Sequence, residues 1–435
     1  MAVTTSAHTE PAQALRRSMR GLVAVAASVI AARDERALAQ RNAAVAFLVR
    51  VASAGILYLS QVVLARWMGS YDYGIYVFVW TWVLVLGGLS TLGLPVLMMR
   101  LLPEYLVHGD QGRVRGLITL GQWSALVTGT VMAAIGMVVV FFARGSINEH
   151  YVLPALLAFV CVPMWTLSDI HDGIGRSRGW MTVALLPPYV MRPLLLLGCM
   201  TVSYLAGWQM DAASAAASAI VATWLTAVFQ AVVVNVRFAR ELGPGGKEFC
   251  LRPWALTALP LFVVTLSEMA LQTVDVLVVS AFLTPNEVGM YFAAAKTMSL
   301  VMFVHYAVGS AVANRFSALK AKGDRAGLEM LARDAVGWTF WPSLAGATLI
   351  VTLGQPLLAL FGPEFSVAYA PMVVLSAGLL VCTFIAHGPV LHAADTVPAA
   401  GYTDGFPKRR AGLWEVRSTG TQANGLAATQ FCIGE

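Results

Sequence analysis

"TVDVLVVSAFLTPNEVGMY", residues Thr273 to Tyr291, carries a carboxylate, Asp275, inside a long apolar run. The run breaks at Thr284-Pro285-Asn286-Glu287 and resumes through Gly289 and Tyr291. A similar break stands in "GSYDYGIY", Gly69 to Tyr76. Aligned on glycine, the two share an acid two residues before it (Asp72, Glu287) and a tyrosine two residues after it (Tyr76, Tyr291), at an offset of 215 positions. Each follows one apolar helix and opens the next.

The composition sets the class. Of 435 residues 58% are hydrophobic and 12% charged, with a mean hydropathy of +0.71. A soluble domain carries about a quarter of its residues charged, and the apolar blocks here reach the ~20 residues that a helix needs to cross a bilayer. Ten candidate helices follow, at 44–66, 74–98, 116–142, 151–169, 181–205, 212–236, 254–283, 288–313, 336–358 and 368–388. The fold class is an all-α polytopic membrane protein. The five cysteines have no CxxC spacing, so neither a disulfide framework nor a metal site is expected. "GPGGK" (Gly243 to Lys247) lacks the spacing of a phosphate-binding loop, and no nucleotide or other cofactor is implied.

Charge alternates along this map. Of the 29 Lys and Arg, 24 fall in the N-terminal segment, the even-numbered loops and the tail, two at the odd loops and three within spans. This is the positive-inside distribution of a chain with a cytoplasmic N-terminus. Although the pI is 9.1, the arrangement places the basic charge along a membrane face, and no nucleic-acid partner is expected. "GLVAVAASVIAA" (Gly21 to Ala32) is too short to span and reads as a helix on the cytoplasmic face.

Two parallel repeats are the expected organisation. It comprises an N-terminal segment (1–43), a six-helix bundle (44–236), a flexible basic linker (237–253), a four-helix bundle (254–388) and an atypical non-membrane tail (389–435). Repeats of this kind place a substrate site between the halves. "LSQVVLARWMGSYDYGIY", "VDVLVVSAFLTPNEVGMYFAAAK", "RFSALKAKGDRAGLEMLARDA" and "LFGPEFSVAYAPMVVLSAG" together resemble the polysaccharide-biosynthesis flippases of the multidrug/oligosaccharidyl-lipid/polysaccharide exporter superfamily, over roughly residues 44 to 388. The resemblance implies two pseudo-symmetric bundles forming a V-shaped cavity in the bacterial inner membrane. It also implies transport of undecaprenyl-diphosphate-linked oligosaccharide to the outer leaflet, driven by a proton or sodium ion, with polysaccharide polymerase machinery as a partner. Members of such families have twelve or more helices. The second bundle is therefore expected to be incomplete, and an inactive truncated flippase is one alternative.

Ionisable groups within spans mark candidate sites, because each costs at least ~2.5–3.5 kcal/mol unless sheltered. Arg192, flanked by Pro187, Pro188 and Pro193, and Lys296 are the expected diphosphate ligands, with Arg50 as a third. Glu268, Gln272 and Asp275, with Thr265, share one helical face and are expected to line the cavity or carry the coupling ion. "SDIHDGIGRSRGW" (Ser168 to Trp180) reads as an inner turn rather than a metal site. No catalytic constellation is present, and an enzyme is not expected. The rival transporter class is a drug/cation antiporter, which would favour acids over cations in its cavity.

Overall fold

The computed structural model describes residues 35–145, 148–301 and 325–381, and these are helical apart from turns, with no strand among them. Six of the described helices are long and apolar enough to cross a membrane, seven when one bent pair counts as a span. The N-terminal segment before Glu35 and the tail after Val381 lie outside the described residues.

The first element, α1 (Glu35–Ser90), is two arms broken at Gly69, where φ is 74° and ψ is 171°. The Tyr73 hydroxyl donates to Gln61 Oε1 at 2.9 Å. Twelve residues of straight helix would separate the two by ~18 Å, so the chain doubles back at Gly69, a conformation glycine adopts without a Cβ clash. The second arm stops at Ser90, short of the expected 98. Leu92 and Gly93 then take positive φ, and a separate helix α2 (Leu94–Val107) begins. Next come α3 (Gln111–Ala143) and the pair α4 (Glu149–Phe159) and α5 (Val162–Ser177), bent by 45°. After α6 (Met181–Leu186), a π turn (Pro187–Met191) leads into α7 (Arg192–Leu205), which is followed by α8 (Ala212–Leu242).

The second half contributes α9 (Leu251–Phe282), α10 (Pro285–Ser299), α11 (Arg325–Thr352), α12 (Gly354–Ala359) and an apolar span, Pro363–Val381. The break before α10 is a capping box: the Glu287 carboxylate accepts from the Thr284 N–H at 2.8 Å and from its hydroxyl at 2.9 Å. Those bonds, the backbone one first, hold the Glu287 carboxyl below its ordinary range.

The loops alternate between two ends. At one end meet Tyr71 and Asn148 (3.4 Å), Asp72 and the Ala212 N–H (3.3 Å), Ser70 and Asn286 (3.0 Å), and the Ser70 N–H and Glu364 (3.0 Å). The basic loops meet at the other end, where Arg178 pairs with Glu241 at 2.6 Å. There Arg115 donates to the carbonyls of Leu242 (2.9 Å) and Gly246 (3.3 Å), and the Glu248 N–H donates to the Gly112 carbonyl at 3.0 Å. The glycine-rich linker is laid along the start of α3, because the Arg115 fork and a backbone bond absorb its polar groups. Trp254, buried at the start of α9, adds a bond from its indole N–H to the Tyr105 hydroxyl at 2.9 Å.

The halves meet tightly where the two glycines of the repeated break cross. A Cβ on Gly74 would overlap the Pro285 carbonyl oxygen, and one on Gly289 would stand 2.6 Å from the Ser70 carbonyl oxygen and 3.1 Å from the Gly74 nitrogen. Ser70 and Pro285 are themselves 215 positions apart, as are Gly74 and Gly289. The contact is thus reciprocal, as residues astride a two-fold axis must be, and the two bundles are pseudo-symmetric about it. Around the crossing pack Tyr73, Ile75, Val288 and Phe365, all fully buried.

A methyl group at Gly74 or Gly289 has nowhere to go, whereas at Gly55 nothing lies within 4 Å. Gly74→Ala and Gly289→Ala are expected to lower the detergent-solubilised protein's melting temperature, by overpacking worth ~1–3 kcal/mol or more. Gly55→Ala, in an open helical position, should leave it unchanged or raise it. Equal melting of all three would show that the crossing is not tight.

Candidate functional site

Between the halves lies a cavity of about 410 Å³, walled by both arms of α1, by α5, α7, α8, α9 and α10, and by the π turn. Its wall carries two cations, Arg192 from the first half and Lys296 from the second, and two carboxylates, Asp169 and Asp172. Aromatic rings fill much of the rest: Tyr58, Tyr76, Trp80, Trp165, Tyr189 and Phe292.

Arg192 owes its position to the prolines before it. Pro187 and Pro188 offer no N–H, so the regular ladder cannot close; the Arg192 N–H instead reaches the Pro187 carbonyl and forms a π turn. The side chain is 8% exposed. Its guanidinium lies 4.1 Å from the Trp165 ring centroid, and one terminal nitrogen donates to Ser168 Oγ at 3.3 Å. Ser168 Oγ donates to Gln230 Oε1 at 2.7 Å, and Gln230 Nε2 donates to the Val183 carbonyl at 3.1 Å. A relay through α5, α8 and α6 therefore holds the cation from behind. Arg192 Nε is buried without a hydrogen-bond partner, and no salt bridge to Arg192 occurs among the described residues. Lys296 is half-buried, its Nζ 5.2 Å from the Phe292 ring centroid.

The sequence-derived candidates divide. Arg192, Lys296 and Gln272 come together on the cavity wall; Glu268 and Asp275 do not. Asp275 lines a separate shallow groove and accepts from the Tyr291 hydroxyl at 3.1 Å. At 100° per residue, Glu268 and Asp275 lie roughly 90–110° around α9 from the face formed by Gln272, Thr273 and Val276. The expected single polar stripe is therefore split. Arg50 lies on α1, but its side chain is outside the described residues, as is everything from 302 to 324.

One part of the wall contradicts the sequence reading outright. Ser168 to Ser177 is not an inner turn; it is the continuation of α5. Its spacing held the signal: Trp165, Asp169, Asp172 and Arg176 recur at four, three and four residues, one helical face. Arg176 pairs with Asp172 at 2.8 Å. His171 turns the other way, where Gln122 Nε2 donates both to its Nε2 and to Asn235 Oδ1, each at 3.0 Å. No group of residues suited to a metal ion occurs among those described.

Helices paired about a central cavity define a multi-pass membrane transporter fold, and comparison with known proteins agrees. The chain is similar to an inward-facing multidrug resistance MATE family transporter of the MOP superfamily (15% identity, TM-score 0.60, covering 80% of this chain and 83% of that one). It is also similar to an outward-facing transporter of that family (14% identity, TM-score 0.58, covering 90% and 84%). A comparison with curated proteins finds no match. The profile described as "Polysaccharide biosynthesis protein" matches residues 39–320, and the chain belongs to that family.

Gln230 is 0% exposed, so replacing it by Leu strands the Ser168 hydroxyl and the Val183 carbonyl. Gln230→Leu is expected to cost ~1–3 kcal/mol, read as a lowered melting temperature. A variant that melts with the wild type would show the relay to be dispensable.

Proposed function

We propose that the chain is a flippase that moves undecaprenyl-diphosphate-linked oligosaccharide from the inner to the outer leaflet of the bacterial cytoplasmic membrane, with its N-terminus on the cytoplasmic side. The observation that carries the proposal is the pairing of Arg192 and Lys296, one cation from each half, on one cavity wall. A diphosphate has oxygens for both: the guanidinium fork matches two of them, and the ammonium acts as a point charge. An anion bridging two cations on opposite halves favours their approach, and its release lets them part. That is the differential contact an alternating-access cycle needs. The linker spanning 237–253 joins the two bundles that move, and a proton or sodium ion drives the cycle.

The partners in this reading are the lipid-linked glycan, the surrounding membrane lipids and the polymerase that consumes the delivered unit. Gln272 lines the path. A coupling role for Asp275 and Glu268 requires ion access from outside the cavity, by the groove beside Tyr291.

A second reading has its own observation: two carboxylates, Asp169 and Asp172, also line the wall, as a drug/cation antiporter would want. Asp172, however, is salt-bridged to Arg176.

Complementation of a strain lacking its polysaccharide flippase separates the two. Arg192→Glu and Lys296→Glu should each abolish surface polysaccharide while membrane-inserted protein persists at wild-type amounts. Arg192→Lys should restore only part, since the fork is lost. Normal export by both reversals would overturn the assignment, and drug export lost with Asp169→Asn but kept with Arg192→Glu would favour the antiporter.

A further inference from the structure

Asp169 is the cavity's unexplained group. It lies on the wall beside Arg192 and, among the described residues, makes neither a hydrogen bond nor a salt bridge. Asp172, one turn on, has its partner in Arg176. Arg192, on the same wall, has no carboxylate paired with it among the described residues, and its Nε is unsatisfied. One buried guanidinium and one carboxylate thus line the same cavity, each within the other's electrostatic reach and without a salt bridge between them.

We propose that Asp169 and an anionic ligand share Arg192 alternately, so that Asp169 takes up one proton when a diphosphate occupies the cavity and gives it back when the diphosphate leaves. The inference rests on the reading of Arg192 as a diphosphate ligand and adds to it a proton that travels with the cargo, a linkage distinct from the ion that drives the cycle.

The physical reason is local charge. In the empty cavity the carboxylate and the guanidinium compensate each other. A diphosphate that takes the guanidinium removes that compensation and brings like charge to the carboxylate, and an uncompensated charge in a low-dielectric wall is neutralised rather than kept. The proton comes from water onto a carboxylate oxygen of Asp169 and returns to water on release; no other bond changes. The charged and titratable groups facing Asp169 are few. Asp172 and Arg176 share its helix and cancel each other, Arg192 and Tyr189 come from the neighbouring span, Tyr76 from α1 and Lys296 from α10 across the cavity. Lys296 is taken by the same diphosphate and cannot replace Arg192 as the counter-charge. Asp275 lies outside the cavity and has no such link to the ligand.

The test is binding of farnesyl diphosphate to the full-length protein in detergent between pH 5.5 and 8, by calorimetry in two buffers of different ionisation enthalpy. Because the probe titrates too, the comparison is between variants. Wild type should take up about one proton more per ligand than Asp169→Asn, so that their relative affinities change by up to tenfold per pH unit. Asp169→Asn, a permanent mimic of the protonated form, should match wild type at low pH and bind more tightly than it at high pH. Asp169→Glu should restore the proton. Equal proton counts in wild type and Asp169→Asn overturn the inference, as does a lost proton in Asp275→Asn alone. If the probe binds Arg192→Gln as well as wild type, or binds wild type not at all, the diphosphate site itself fails and the inference falls with it.

Discussion

The reciprocal crossing of Gly74 and Gly289 is the contact on which the other features depend. Two helices from different halves approach until each backbone touches the other's carbonyl, which only the absence of a Cβ allows. The crossing brings the start of α1's second arm against the start of α10. That fixes where Tyr76, Trp80 and Phe292 stand, and with them one side of the cavity. Because the same two positions meet from both repeats, a change at either is felt by both bundles.

Around this contact the molecule resolves a conflict between charge and burial. A guanidinium at 8% exposure is expensive unless its surroundings supply compensation. Here that compensation is divided: Trp165 offers a ring face, Ser168 an oxygen held by Gln230, and Asp169 a longer-range field. None of these is a full ion pair. A cation satisfied in this partial way is ordered yet still able to bind an incoming anion, whereas Arg176, closed onto Asp172, is not. The two arginines, sixteen positions apart in sequence, differ in that one is closed onto a carboxylate and the other is not.

The transporter fold is shared with proteins of about 15% identity, so what distinguishes this chain within it must reside in the side chains of the wall. That wall carries two cations, one from each half, and two carboxylates. The rings of Tyr76, Trp80 and Trp165, in edge and stacked contact at 5.7 to 6.0 Å, give that wall a rigid aromatic surface beside the charge.

Much of this was legible in the sequence. Apolar block length determined the membrane class and the all-α fold, because a bilayer requires each span to satisfy its own backbone. Alternation of basic loops determined which loops meet at which end, and the matched Asp-Gly-Tyr and Glu-Gly-Tyr breaks determined the repeat. The prolines around Arg192 determined that its helix would be interrupted, since the missing N–H groups are a property of the residues themselves. Tertiary structure alone decided how faces were used. Glu268 and Asp275 share a polar stripe with Gln272, yet the rotation of α9 against α1 and α10 turned only Gln272 into the cavity. Asp169 and Asp172 looked like a turn because glycines and charges cluster there, although their spacing fits one helical face, and packing against α2, α3 and α8 decided where that face points. Periodicity records that residues share a face, but which neighbour that face meets depends on contacts between segments far apart in the chain, and no local pattern encodes them.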